Sequence, residues 1–121
     1  MKRVRHWIGG TPWERPAART GDIFNPATGE VAGQVDFAEP AEVDAAVDAA
    51  AAAFPGWRAA SLAKRSNVLF TFRELLAARK DEVAAILTAE HGKVLSDASG
   101  EVQRALEVAE FACGVPHLLK G

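Results

Sequence analysis

Val31-Ala32-Gly33-Gln34-Val35-Asp36-Phe37-Ala38-Glu39-Pro40-Ala41-Glu42-Val43-Asp44-Ala45-Ala46-Val47 is the stretch in which the chain changes from one structural period to another. Val31, Gly33, Val35 and Phe37 alternate at the period of a half-buried strand. Beyond Glu39 the apolar positions Val43, Val47, Ala50 and Phe54 recur at spacings of four, three and four, which places them on one helix face. Pro40 sits early, where its missing N–H costs nothing, and Glu42 faces the positive end of the helix. The change of period divides the chain into strands and turns over residues 1–38 and a helical segment over residues 39–121. The fold class expected is therefore mostly α with short N-terminal β-hairpins.

Upstream of this stretch, Gly9-Gly10, Pro16, Gly21, Asn25-Pro26, Thr28-Gly29 and Gly33 punctuate a run of short strands. Residues 22–37 read as a hairpin, with Ile23 and Phe24 leading into the turn Asn25-Pro26-Ala27-Thr28-Gly29. Such a ribbon is marginal on its own and needs a surface to lie against. Downstream, Phe54 precedes Pro55-Gly56, a pair expected to end the first helix there, with Trp57 plugging the corner.

Ser61 is a good N-cap for a second helix, with a buried stripe expected from Leu62, Val68, Leu69, Phe72, Leu75 and Leu76. Asp81 is placed to cap a third, carrying Val83, Ile86 and Leu87 and ending at His91-Gly92. Ser96 or Asp97 opens the last helix. One of its stripes is Val102, Leu106, Ala109 and Cys113; a second is Val108, Phe111, Ala112 and Val115. A helix apolar on two sides wants neighbours on two sides, and the elements at hand are too few to supply both. The chain closes on Leu118-Leu119-Lys120-Gly121, which reads as an interrupted polypeptide.

The composition, 49% hydrophobic and 25% charged over 121 residues, suits one modest domain or part of one. A formal charge of −2 offers no field for nucleic acid or acidic lipid. No apolar run approaches the ~18 residues of a membrane span. Lys2, Arg3, Arg5, Arg15 and Arg19 make the first residues basic, but Trp7-Ile8 runs straight into Gly9-Gly10-Thr11-Pro12, unlike a signal peptide. A single cysteine excludes an intrachain disulfide, and a cytoplasmic protein is expected.

Chemical groups are sparse. Cys113 ends an apolar stripe near a helix C-terminus, whose field opposes a thiolate, so a packing thiol is expected. His6, His91 and His117 are scattered without metal-ligand spacing; His91 suits a favourable helix-end charge. No Gly-x-Gly-x-x-Gly loop is present to cradle a dinucleotide. Glu101, Glu107 and Glu110 have the spacing of a solvated face. Arg104 lies on an otherwise unusually apolar helix, which leaves two readings of equal weight. Its head group points into a cleft, or it pairs at the surface with Glu101 or Glu107, three positions away.

Several ordered stretches resemble the aldehyde dehydrogenase superfamily: Phe24-Asn25-Pro26-Ala27-Thr28-Gly29-Glu30-Val31, Val43-Asp44-Ala45-Ala46-Val47, Ala53-Phe54-Pro55-Gly56-Trp57-Arg58 and Glu90-His91-Gly92-Lys93. A narrower likeness covers Gly100-Glu101-Val102-Gln103-Arg104-Ala105-Leu106-Glu107-Val108-Ala109-Glu110-Phe111-Ala112-Cys113-Gly114-Val115-Pro116-His117-Leu118-Leu119-Lys120-Gly121. It is similar to the CoA-acylating methylmalonate-semialdehyde dehydrogenases, though Ala105 stands where glycine is expected. The resemblance implies the N-terminal part of an α/β aldehyde dehydrogenase fold several times longer. It also implies NAD and CoA as the parent's cofactor and co-substrate, and semialdehyde converted to propionyl-CoA or acetyl-CoA with loss of the carboxyl group.

By the same resemblance the catalytic cysteine and the nucleotide-contacting loops lie outside this chain, so no catalytic role passes to Cys113 and no cofactor is expected to bind here. Arg104 is the one substrate-binding residue implied, through the semialdehyde's carboxylate. The partners implied are the remainder of the dehydrogenase chain and, for the parent, further copies in a homo-oligomer. The contrasting reading is a small helical interaction module derived from such an enzyme.

Overall fold

The period of two over residues 31–37 builds strand β5 (Val31–Phe37), the central strand of a three-stranded sheet in which β1 (Lys2–Val4) and β4 (Arg19–Phe24) flank it. The computed structural model describes residues 1–119. Lys120 and Gly121, which close both the stretch of narrower resemblance and the chain end read above, lie outside the described residues. The described chain groups into two units, Met1–Ala59 and a second from Ala60 onward.

In the first unit β4 and β5 pair antiparallel from Arg19↔Phe37 to Phe24↔Val31, so the expected hairpin begins at Arg19, three residues before its expected start at 22. Its turn is held as the residues dictate. Asn25 Oδ1 accepts from the Ala27 N–H at 2.9 Å, and Gly29 takes φ 74°, a left-handed conformation that costs glycine little. β1 runs parallel to β5 and comes so close that a Cβ on Gly33 would lie 2.8 Å from the Lys2 carbonyl oxygen. Asp36, buried on β5, accepts from Arg3 Nε on β1 at 2.8 Å. β2 (Trp7–Ile8) and β3 (Thr11–Pro12) form a second ribbon around Gly9-Gly10, whose φ values of 64° and 85° suit a tight hairpin turn.

Helix α1 (Pro40–Ala59) starts where the sequence places it, with Glu42 reaching back to accept from the Glu39 N–H at 3.0 Å. Its end corrects the expectation at Phe54: the helix passes through Pro55 and Gly56 to Ala59. An interior proline costs about 3 kcal/mol. The preceding alanines have the highest helix propensity, and Ala51, whose carbonyl loses its donor, is exposed to water. Trp57 accordingly lies within the helix, half-exposed, and plugs no corner. No residue of α1 is buried, so its stripe of Val43, Val47, Ala50 and Phe54 is left uncovered in this chain.

The second unit consists of α2 (Leu62–Ala78), α3 (Lys80–His91), α4 (Leu95–Cys113) and the short α5 (Val115–Leu118). Ser61 caps α2, its Oγ accepting from the Lys64 N–H at 3.2 Å. Gly92 ends α3 at φ 87° with its N–H on the Thr88 carbonyl. Two other caps differ from expectation. α3 begins at Lys80, before Asp81, with Arg79 donating to both Glu82 oxygens from Nε and Nη2 at 2.8 and 2.6 Å. α4 begins at Leu95 after Val94, which offers no side-chain cap, and Asp97 supplies the negative charge inside the first turn.

The core of this unit is Ala84, Ala98 and Val102, with Leu76, Val83 and Leu87 against it. Leu106, Ala109 and Cys113 continue the buried line along α4. The Cys113 thiol is buried and donates to the Ala109 carbonyl at 3.2 Å. The stripe expected of α2 splits in two. Leu62, Leu69 and Leu76 are half-buried on the side that carries buried Ser66, while Val68, Phe72 and Leu75 are exposed on another. Among the described residues no helix is long and apolar enough to cross a membrane.

Candidate functional site

α4 is amphipathic. Its buried line is apolar, and its outer face carries charged and polar side chains interrupted by Val108 and Phe111. Arg104, Val108 and Phe111 recur at spacings of four and three, so they share a face. That face is open: Val108 is 68% and Phe111 69% exposed, and Arg104 is exposed with them. A cation beside two uncovered apolar side chains has the makings of a wall that another part of a larger structure would close.

The two carboxylates that the surface reading assigned to Arg104 each have another partner. Glu101 is held by Lys93 Nζ, which also donates to Asp97 Oδ2 at 2.9 Å. Glu107 accepts a long 3.5 Å contact from Gln103 Nε2, while Gln103 Oε1 takes a 3.0 Å bond from Lys80 on α3. Lys93 is the fixed member of its cluster, with a side chain 13% exposed against 63% for Asp97 and 46% for Glu101. Hydrogen bonds to Glu101 and then Asp97 hold the Lys93 ammonium above its ordinary range. The hydrogen bond and charge of Lys93 hold the Asp97 carboxyl below its own, with smaller contributions from Arg104 and His91.

Sequence reasoning missed Lys93 and Lys80. The spacing of Lys93 to Asp97 is that of a helical ion pair, but Lys93 precedes the helix, so the rule for helix faces did not pick it out. The histidines are not brought together: His6 lies in the strand unit, His91 in the last turn of α3 and His117 in α5. Among the described residues no three His, Cys, Asp or Glu side chains converge as a metal site. Glu110 faces Arg73 of α2 at 3.6 Å, a helix-to-helix tie.

The strand-and-helix order and the geometry of α4 define a piece of a larger α/β assembly. Residues 13–121 match the aldehyde dehydrogenase family, and the chain belongs to it. It is 45% identical over all 121 residues to the malonate-semialdehyde dehydrogenase of Pseudomonas aeruginosa. The methylmalonate-semialdehyde dehydrogenase structure from Oceanimonas doudoroffii superposes over 100% of this chain with a TM-score of 0.94 at 45% identity. An NAD complex from Sinorhizobium meliloti 1021, assigned to the same enzyme type, does so over 98% with a TM-score of 0.92 at 44% identity. The chain spans only about a quarter of these relatives: 24% of the Pseudomonas protein, 25% and 24% of the two solved chains. That quarter is their N-terminal part.

Proposed function

We propose that this chain is the N-terminal segment of an NAD-dependent, CoA-acylating malonate- or methylmalonate-semialdehyde dehydrogenase, inert by itself, whose partner is the remainder of such a chain. The observation that carries this reading is its likeness along its full length to one quarter of semialdehyde dehydrogenases. Among the described residues all helices follow β5, no helix crosses over between the parallel strands β1 and β5, and no glycine-rich turn leads into a helix N-terminus, which suits nucleotide contacts made by the remainder. On this reading the site for the hydride-accepting NAD and the thiol nucleophile belong to the remainder. The active parent is read as a cytoplasmic homo-oligomer.

Within that enzyme Arg104 holds the carboxylate of the semialdehyde. A guanidinium offers two parallel donors that match a carboxylate. Its exposure on a face meant to be covered, with Glu101 and Glu107 engaged elsewhere, supports this role over a surface ion pair.

The test uses two proteins: the isolated chain, and a chimera in which it replaces the matching N-terminal quarter of the Pseudomonas relative. With methylmalonate or malonate semialdehyde, NAD and CoA, the chimera should form NADH and the isolated chain none. Turnover by the isolated chain that disappears on Cys113→Ala would overturn both the proposal and the packing role of that thiol.

A further inference from the structure

Lys93 stands where local electrostatics disfavours it. It lies just before α4, at the positive end of that helix dipole, where a cation is repelled and a carboxylate welcomed. Its partial burial adds a smaller desolvation cost. Both penalties are offset by the same two partners, Asp97 and Glu101, which converge on one ammonium from successive turns of α4. These are also the acids that flank Arg104 toward the start of the helix. Glu101 is three positions before it, the spacing at which an acid and an arginine readily pair, and the Arg104 charge reaches Asp97.

We infer that Lys93 is a positioning residue for carboxylate recognition: by engaging Glu101 and Asp97 it keeps them from neutralising Arg104, whose guanidinium stays free for the substrate. The inference rests on the reading of Arg104 given above. Lys93 touches no substrate. It acts through the two carboxylates.

The chimera tests this through the ratio of kcat/KM for malonate semialdehyde to that for uncharged propanal. Lys93→Met should lower the ratio roughly fivefold, the size of a strong exposed ion pair, and mainly through KM. Lys93→Met with Glu101→Gln should recover it, because the acid released onto Arg104 is gone, and Lys93→Arg should keep it. Equal losses on both aldehydes, or no recovery with Glu101→Gln, would show a purely structural lysine and overturn the inference. An unchanged ratio in Lys93→Met, beside a ratio that collapses in Arg104→Ala, would overturn it while leaving the Arg104 reading intact. A ratio unmoved by Arg104→Ala would remove that reading and the inference with it.

Discussion

Asp97, Lys93 and Glu101 are exposed or rim groups whose pairing is a matter of local charge, so their behaviour with pH is the most direct residue-level check. The Lys93 hydrogen bond and charge lower the Asp97 carboxyl in the fold. A depressed carboxylate contributes stability that is present above its unfolded value, near ~3.9, and is lost as pH falls through the lower folded value. The raised Lys93 ammonium contributes below its unfolded value, near ~10.4, and that contribution is lost as pH rises through the higher folded one. Carboxyl carbon shifts should therefore show Asp97 titrating below an ordinary aspartate, and Lys93→Met should return it upward. An ordinary midpoint in the parent chain would mean that the cluster is not formed. Added salt should weaken the effect, since Asp97 is mostly exposed.

At the scale of the elements, the passage of α1 through Pro55 is one point on which sequence and structure part. Carbon shifts of Gly56, Trp57 and Arg58 should be helical, and Pro55→Ala should stabilise the helix by up to about 3 kcal/mol, read from its thermal unfolding. Extended shifts at those residues would restore the earlier stop at Phe54. The difference is instructive. Ser61 and Gly92 were legible because a cap is decided within a few residues, by a hydroxyl on an N–H or a positive φ. Pro55 was not, because a breaker is a cost that a strong alanine run can carry.

The same distinction separates the stripes. Val102, Leu106, Ala109 and Cys113 are buried as their spacing demands, whereas α2 offers Leu62, Leu69 and Leu76 to α4 and leaves Val68, Phe72 and Leu75 outside. Periodicity finds apolar faces but does not say which neighbour is present to cover them. The surroundings of Arg104 were legible only in part for a related reason. Arg104 is singled out by its apolar surroundings, whereas the pairing of Glu101 with Lys93 and of Glu107 with Gln103 is a matter of side-chain geometry that spacing does not show.

At the scale of the whole chain, the uncovered apolar surface has a consequence. Phe54 and Trp57 in the first unit, and Val68, Phe72, Leu75, Val108 and Phe111 in the second, are all about half or more exposed. Scattered apolar side chains are normal at a surface, but contiguous faces on several helices invite association. The isolated chain should sediment as more than a monomer, or bind an apolar dye, and incorporation into the chimera should abolish the dye binding. A compact monomer with a cooperative thermal transition and no dye binding would favour an independent helical module.

The central claim is that this chain is one quarter of a semialdehyde dehydrogenase and brings to it the residue that recognises the substrate's carboxylate. The most direct measurement is kcat/KM of the chimera on malonate semialdehyde and on propanal, with and without Arg104→Ala. The account predicts NADH formation from the semialdehyde and, in the variant, a loss confined mainly to the charged substrate, on the order of 2 kcal/mol or more. Equal losses on both aldehydes, or none on either, would contradict it.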